Sequence, residues 1–277
     1  MRKVVKKVDH ILAEKYENLR NSLQQCESVA VAFSAGVDST LLLAVASEVL
    51  GDQAIAVSVS ADWVPDRERA EAEEFCAVRG IRQFCLHVSA DEIDGFTKNP
   101  PDRCYLCKRA LFTRILETAE KQGIACVVEG SNVDDLGDYR PGLQAISELG
   151  VKSPLREAGL TKAEIRELSR ELGLTTADKP SFACLASRIP YGESITSEKL
   201  SMADQGEQLL LDKGFHQFRV RVHGTLARIE LLPEEMERMM EESLRSEIYD
   251  AMKHIGFSYV ALDLKGYRTG SLNEVLK

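Results

Sequence analysis

The chain has 277 residues, of which 44% are hydrophobic and 29% are charged, and its formal net charge is -9. This length accommodates two domains, and the apolar content is ordinary for a globular protein with a full core. The negative charge argues against a general affinity for nucleic-acid backbone, which requires a surplus of Lys and Arg. No stretch approaches the ~20 apolar residues that cross a bilayer, and acidic residues interrupt the basic N-terminal stretch, unlike in a signal peptide. We therefore expect a cytoplasmic protein without a membrane partner, whose cysteines stay reduced.

Strand-like and helical segments alternate through the first part of the chain. An amphipathic helix is predicted from Val4 to Leu23. Further helical patterns lie near 39–50, 65–79, 104–122, 139–149 and 161–173, and strand-like runs lie at 28–33, 53–60, 82–88 and 124–129. Strands that alternate with helices of this length predict an α/β domain, a doubly wound parallel sheet covered on both faces.

The pattern changes over residues 175–196, which contain two prolines and little periodicity. We interpret this stretch as a crossing segment between domains that is long enough to have a function. After it come a helix at 196–213, a hairpin-like pair at 215–222 and 226–232, a helix at 233–254 and a strand at 257–264. This order predicts a second, smaller α+β domain with local antiparallel pairing, and domain ranges of 1–178 and 179–277.

The loop after the first predicted strand combines glycine with hydroxyl side chains, in the order Ser34-Ala35-Gly36-Val37-Asp38-Ser39-Thr40. Ligands of an open parallel sheet bind beyond the carboxyl ends of the strands, where helix N-termini present backbone N–H groups. Gly36 permits a close backbone approach to an anion, and the hydroxyls can donate hydrogen bonds. The loop lacks the lysine of an ordinary P-loop and the G-x-G-x-x-G of a dinucleotide fold. The alternative is a plain strand-to-helix turn with Ser39 as N-cap.

This stretch resembles the S-G-G-x-D-S loop of the PP-loop (HUP-like) ATP pyrophosphatases, which include NAD synthetase, GMP synthetase, argininosuccinate synthetase and tRNA-thiolation enzymes. The resemblance implies that residues 34–40 bind the phosphates of ATP, with Asp38 near Mg²⁺, and that ATP yields an adenylate and pyrophosphate. Ala35 replaces a glycine of the family pattern, which matters only if the backbone there needs positive φ. Residues 129–135, E-G-S-N-V-D-D, resemble a second segment that lines the ATP site and add Gly130.

Three cysteines lie outside the patterns typical of a buried core. Cys104 and Cys107 open a predicted helix, three residues apart and therefore on one face, where the helix N-terminus favours the thiolate. Cys184 lies in the crossing segment. A structural zinc site would need four ligands, and the sequence has no second C-x-x-C. Three such cysteines could hold three irons of a 4Fe-4S cluster and leave the fourth iron open to sulfide, whereas a thioredoxin-like pair and a redox-inert pair are alternatives.

Together with P-x-R-C-Y-x-C-K, K-P-S-F-A-C-L-A-S-R and F-R-V-R, these motifs resemble the LarE family of ATP-dependent sulfur transferases over almost the whole chain. The resemblance implies that a carboxylate of pyridinium-3,5-biscarboxylic acid mononucleotide is adenylylated and that sulfur then displaces AMP. The product belongs to the biosynthesis of the nickel-pincer nucleotide cofactor of lactate racemase. Sulfur comes either from the cysteine at position 184, which becomes dehydroalanine, or through a 4Fe-4S cluster on Cys104, Cys107 and Cys184. Because the sacrificial members lack the C-x-x-C pair, the sequence favours the cluster.

The second predicted domain carries two arginines that alternate with valines in a strand. Arg219 and Arg221 therefore face one side of the strand, where the resemblance implies that they bind the substrate phosphate with Ser187 and Arg188. A solvated strand face is the alternative.

The resemblance also implies a homo-oligomer, such as a hexamer, with the second domain in the contacts. Two other functions are open: a cluster-dependent tRNA thiouridine synthetase and a non-catalytic ATP- or AMP-binding protein. The net charge of -9 disfavours the tRNA substrate, because RNA binding needs a basic surface. The retained Ser34, Asp38 and Ser39 disfavour the non-catalytic protein.

Overall fold

The computed structural model describes residues 9–137, 141–180 and 183–276. These residues form two compact units, of which the first lies within Met1–Val88 and Cys104–Phe182 and the second within Ser89–Arg103 and Ala183–Lys277. Within the described ranges, no helix combines the length and the apolar character needed to span a membrane. The domain boundary expected between 178 and 179 stays a prediction.

The first unit is built on four parallel strands: β1 (Val29–Ala32), β2 (Ala54–Ala61), β3 (Gln83–Val88) and β4 (Cys126–Val128). Their order in the sheet is β3-β2-β1-β4. Successive residues of β1 point to opposite faces, so Val29 and Val31 join one apolar core and Ala30 joins a second. The predicted parallel sheet, covered on both faces, is confirmed.

The helices that accompany this sheet are α1 (His10–Gln24), α2 (Val37–Leu50), α3 (Asp66–Arg79), α4 (Arg103–Lys121), α5 (Pro141–Glu148), α6 (Pro154–Glu157) and α7 (Lys162–Glu171). Leu42 of α2 and Ile165 of α7 belong to the core on one face, and Phe112 of α4 and Ile146 of α5 belong to the core on the other. The helices predicted here are found within a few residues of their expected bounds, and α6 is an addition. Residues 4–8 and 139–140 of the predicted helices lie outside the described ranges.

The second unit contains β5 (Phe218–His223), β6 (Leu226–Leu231) and β7 (Tyr259–Leu262), which form a sheet in the order β5-β6-β7. Its helices are α8 (Ser197–Asp212), α9 (Pro233–Met239) and α10 (Glu242–Ile255). The predicted hairpin is confirmed by the antiparallel pairing of β5 and β6. The structure also contains a parallel pairing of β6 and β7. This pairing is possible because α10 lies between the two strands in the chain and returns the chain to the end of the sheet at which β6 begins.

The single helix predicted at 233–254 is wrong, since the chain forms two helices there. The backbone of Glu241 is extended, with ψ 128°, and it caps the start of α10. Met239 at the end of α9 and Met252 in α10 are both buried. The break therefore separates two helices that each bury a methionine, and an apolar pattern taken as one continuous helix does not reveal it.

The segment Ser89–Arg103 belongs to the second unit although it lies between elements of the first in the sequence. The side chain of Asn99 donates hydrogen bonds to the carbonyls of Ile189, at 3.2 Å, and Pro190, at 2.7 Å. Arg103 donates to Asn99 Oδ1 at 2.5 Å. The contacts of Asn99 join residues about 90 positions apart. Local sequence patterns therefore do not predict them.

Candidate active site

The loop of residues 34–40 follows β1 at its carboxyl end and leads into α2. Gly36 occupies the N-cap position with extended backbone and no side-chain cap, so the alternative with Ser39 as N-cap is wrong. The hydroxyl of Ser39 donates to the carbonyl of Gly36 at 3.2 Å, lies 3.2 Å from the hydroxyl of Ser34, and accepts from the backbone N–H of Ser34 at 3.3 Å. Val37 and Thr40 are buried. The two serines therefore shape the loop around the start of the helix.

Ala35, where the family pattern has glycine, adopts the left-handed backbone conformation with φ 53°. For a residue with a Cβ atom this conformation costs about 1–2 kcal/mol relative to the right-handed region. Its methyl group is also buried, as part of the apolar core that α2 contributes to. The position thus requires the conformation that glycine adopts most easily, while the alanine side chain gains some burial in return.

The segment after β4 lies directly against this loop. A Cβ atom on Gly130 would lie 3.1 Å from the backbone nitrogen of Ser39 and 3.3 Å from Cβ of Asp38, which is closer than side chains ordinarily approach. The amide of Asn132 donates to Asp38 Oδ1 at 3.1 Å. The carboxylate of Glu129 is buried and accepts hydrogen bonds from the backbone and hydroxyl of Ser131. The two sequence motifs are therefore parts of one site.

Two lysines that the sequence pattern did not assign to the site also contact the loop. Lys162, the first residue of α7, forms an ion pair with Asp38 Oδ2. Lys179 donates to the carbonyl of Ala35 at 3.0 Å and pairs with Glu71. The available signal was indirect: if the loop binds phosphate, its lack of a lysine requires positive charge from elsewhere in the chain.

Cys104 and Cys107 lie half-buried in the first turn of α4. Helix α5 packs on this turn, since a Cβ atom at Gly142 would lie 3.3 Å from the carbonyl oxygen of Cys104. All seven cysteines are free thiols. Burial raises the pKa of Cys76 to about 11, which identifies an inert core thiol.

Cys184 belongs to the second unit and is exposed. It directly precedes a short 3-10 turn, Leu185–Arg188. In the ranges that the structure describes, no group of three or more His, Cys, Asp or Glu side chains is arranged to hold a metal ion. The assignment of a 4Fe-4S cluster to Cys104, Cys107 and Cys184 therefore stays a prediction.

The second unit brings together the four residues predicted for the substrate phosphate. Arg219 and Arg221 are each 5% exposed, so the alternative of a solvated strand face is wrong. Arg221 forms a two-pronged ion pair with Glu230, at 3.0 and 2.9 Å, and donates to the carbonyl of Ser187 at 2.7 Å. Arg188 donates to the hydroxyl of Ser187 at 2.6 Å.

We define the arginine cluster as four arginines and three carboxylates: Arg188, Arg219, Arg221 and Arg228 with Glu207, Glu230 and Asp263. The positive charges of the cluster therefore outnumber its negative charges. The guanidinium of Arg219 lies 4.9 Å from the centre of the Tyr267 ring. Burial, and then the charge of Arg188, lower the pKa of Arg219 to about 10. An anion would relieve this concentration of buried positive charge.

Comparisons with known proteins find relatives over nearly the whole length of the chain, whereas no family model matches. An uncharacterised protein of Synechocystis is 41% identical over 96% of this chain and 99% of its own length. The pyridinium-3,5-bisthiocarboxylic acid mononucleotide synthase of Lactiplantibacillus plantarum is 36% identical over 96% of each chain. One of the subunits of the glutamine-hydrolysing GMP synthase of Thermoplasma volcanium is 30% identical over 67% of this chain and 63% of its own.

Substitutions at Ala35 are expected to separate backbone strain from side-chain burial. Ala35→Gly removes about 1 kcal/mol of left-handed strain and loses a buried methyl worth about 0.8 kcal/mol, so stability and pyrophosphate release should change little. Ala35→Val should destabilise by about 1–3 kcal/mol, because a β-branched residue is strained at positive φ. Thermal unfolding and ATP-dependent pyrophosphate release measure both effects. Equal losses in the two variants would contradict this account.

Arg188→Ala is expected to destabilise the protein by about 3–5 kcal/mol, because it leaves the buried carboxylate of Glu207 without its partner. Burial raises the pKa of Glu207, but the charge and hydrogen bonds of Arg188 outweigh it, so the pKa lies below its ordinary value. That stabilisation is complete above the unfolded-state pKa of Glu and is lost as pH falls through the native pKa.

The difference in unfolding free energy between wild type and Arg188→Ala should therefore narrow with acidification, which denaturant titrations at several pH values measure. Arg170→Ala, which removes an exposed pair with Asp178, is the control and should cost less than about 1 kcal/mol. A difference that does not depend on pH would show that the Glu207 carboxylate is not the group left unpaired.

Proposed function

The chain belongs to the LarE family, the family of the pyridinium-3,5-bisthiocarboxylic acid mononucleotide synthase, and on this basis we propose that it is an ATP-dependent sulfur transferase. The proposed reaction converts a carboxylate of pyridinium-3,5-biscarboxylic acid mononucleotide into a thiocarboxylate for the nickel-pincer nucleotide. The observation that carries the proposal is the match to that synthase at 36% identity over 96% of each chain. The loop of residues 34–40, which we call the phosphate loop, contacts the segment after β4, and this contact supports the use of ATP.

The first proposed step is adenylylation. A carboxylate is a poor electrophile because its leaving group would be oxide, and transfer of AMP gives it a phosphate leaving group instead. A substrate carboxylate oxygen attacks the α-phosphorus of ATP, and pyrophosphate leaves. We assign Ser34, Gly36 and Ser39 to the pyrophosphate, and the N–H groups at the start of α2 are available to the same anion. Lys179 supplies positive charge beside Ala35.

Asp38 has the chemistry required for a Mg²⁺ ligand at this loop. Mg²⁺ is usually bound through one or two carboxylates together with substrate phosphates, and Asp38 is the acidic residue of the loop. When bound, the ion would supply positive charge that stabilises the departing pyrophosphate. The chain itself holds the Asp38 carboxylate in place through Asn132.

For sulfur delivery we propose the three-cysteine 4Fe-4S cluster, which would supply a sulfide nucleophile. Two observations support it: Cys104 and Cys107 are one helical turn apart, and Cys184 is exposed.

In the sacrificial alternative, the Cys184 thiolate attacks the adenylate carbonyl and AMP leaves. Elimination then breaks the Cβ–S bond of the resulting thioester and leaves dehydroalanine, so the thiocarboxylate keeps the sulfur. The exposure of Cys184 is compatible with this route as well.

The arginine cluster is proposed to bind the phosphate of the mononucleotide. We assign this phosphate contact to Arg219, Arg221, Arg188 and Ser187. The excess of buried positive charge in the cluster supports the assignment. Glu207 holds Arg188 and Glu230 holds Arg221, and these ion pairs would fix the two guanidiniums in position for the phosphate. The cytoplasmic location and the homo-oligomeric state stay predictions.

The substrate proposal predicts pyrophosphate release from ATP that depends on the pyridinium mononucleotide and not on tRNA. The assay compares both substrates under anaerobic conditions, with Ser39→Ala as a variant expected to lose about 10-fold or more in rate through one phosphate contact. Release stimulated by tRNA alone would identify the thiouridine synthetase instead. ATP binding without any pyrophosphate release would identify a non-catalytic protein.

The cluster proposal predicts iron, acid-labile sulfide and absorption near ~400 nm in protein purified without oxygen. Cys104→Ser and Cys107→Ser should each remove this absorption and sulfide-dependent turnover, whereas Cys76→Ser should not. In the sacrificial alternative the protein is colourless, and Cys184 loses ~34 Da after one turnover through conversion to dehydroalanine. A colourless protein whose Cys184 mass is unchanged after turnover would contradict both routes.

A further inference from the structure

A lysine from α7 is paired with the carboxylate that we assign to Mg²⁺. Lys162 Nζ forms an ion pair with Asp38 Oδ2, and Asn132 donates to Asp38 Oδ1 at 3.1 Å. Both carboxylate oxygens of Asp38 are therefore engaged by donors of the chain. The side chains of Lys162 and Asp38 are 30% and 19% exposed, so the pair lies at a partly open surface of the first unit.

The backbone of Lys162 is anchored independently of its ammonium group. Its N–H donates to Asp134 Oδ2 at 2.8 Å. Thr161 and Glu164 close a reciprocal capping box around the first turn of α7. The Cα position is thus held by three local hydrogen-bonding groups, and the flexible four-carbon side chain can change partner without moving the helix.

The ammonium of Lys162 and a Mg²⁺ ion would compete for the carboxylate of Asp38. Mg²⁺ binds carboxylate oxygen at about 2 Å, which would put it within about 5 Å of an ammonium hydrogen-bonded to the same oxygen. Two cations at that separation repel each other strongly in a partly buried site. Mg²⁺ bound at Asp38 would therefore leave Lys162 beside the phosphates that we assign to the loop, and phosphate oxygens are strong acceptors for an ammonium.

We infer that Lys162 exchanges its carboxylate partner for the phosphates of ATP, and that it is a phosphate-binding residue for the adenylylation step. The inference rests on the proposed function only for the assignment of ATP and Mg²⁺ to the loop. It also accounts for a phosphate loop without a lysine of its own, because α7 brings one to the loop. The ion pair with Asp38 holds that lysine at the site before the phosphates bind.

The test is the sign of two changes in Lys162→Ala, measured by isothermal titration calorimetry. Affinity for Mg²⁺ alone should increase about fivefold, because a competing cation is removed. Affinity for the Mg²⁺ complex of α,β-methylene-ATP, which is not cleaved, should fall about tenfold, because a charged hydrogen bond is lost. Lys162→Arg keeps the charge and should restore most of the nucleotide affinity.

Lys15→Ala is the matched control. Lys15 of α1 forms an ion pair at 2.7 Å with Glu164, which lies on the same helix as Lys162, so its removal should change neither affinity. Thermal unfolding shows whether each variant is folded. If Lys162→Ala does not fold, Lys162→Arg still tests the inference, because it keeps the positive charge. Two affinities that fall together, or that both stay constant, would overturn the inference. The titrations use no pyridinium substrate, so they test the inference separately from the proposed function. If the two affinities change in opposite directions in a protein that forms no thiocarboxylate, the inference is supported and the proposed function is contradicted.

Discussion

The carboxylate of Asp38 connects the phosphate loop to two segments that lie 94 and 124 residues further along the chain. Asn132 follows β4 and Lys162 begins α7, so one side chain joins three elements at the carboxyl edge of the sheet. Gly130 makes the same approach through its backbone, where a Cβ atom would crowd Asp38 and Ser39. Without these contacts the loop would be only the start of a helix. With them, it has a carboxylate, an amide and an ammonium in fixed relation to its backbone.

Much of this arrangement could be predicted, because periodicity is a local property. The four strands and their helices were found from apolar spacing, and the carboxyl-edge rule placed residues 34–40 at a ligand site. The strand order was not accessible, and it is the adjacency of β1 and β4 that brings Asn132 to Asp38. Lys162 could not be assigned for the same reason: along the sequence it is an ordinary lysine after a helix cap. The strain at Ala35 is likewise a property of the folded backbone, with φ 53°.

The second unit shows a different limit of sequence reasoning. A strand period of two correctly places Arg219 and Arg221 on one face, but it does not say whether that face meets solvent. Two carboxylates of the cluster, Glu207 and Glu230, come from α8 and β6, and their burial with the arginines depends on the packing of those elements. The two units therefore offer complementary chemistry. The first holds a loop with hydroxyl groups, a carboxylate and a paired ammonium, and the second concentrates buried positive charge.

The central claim is that ATP activates a substrate carboxylate by adenylylation, so the origin of one oxygen atom in AMP tests it most directly. The enzyme would be supplied with ATP, a sulfur source and the pyridinium mononucleotide labelled with ¹⁸O in its carboxylates, and the AMP would be analysed by mass spectrometry. The account predicts one ¹⁸O atom in each AMP formed, because displacement by sulfur breaks the carbon–oxygen bond of the adenylate. Formation of thiocarboxylate with unlabelled AMP would contradict it.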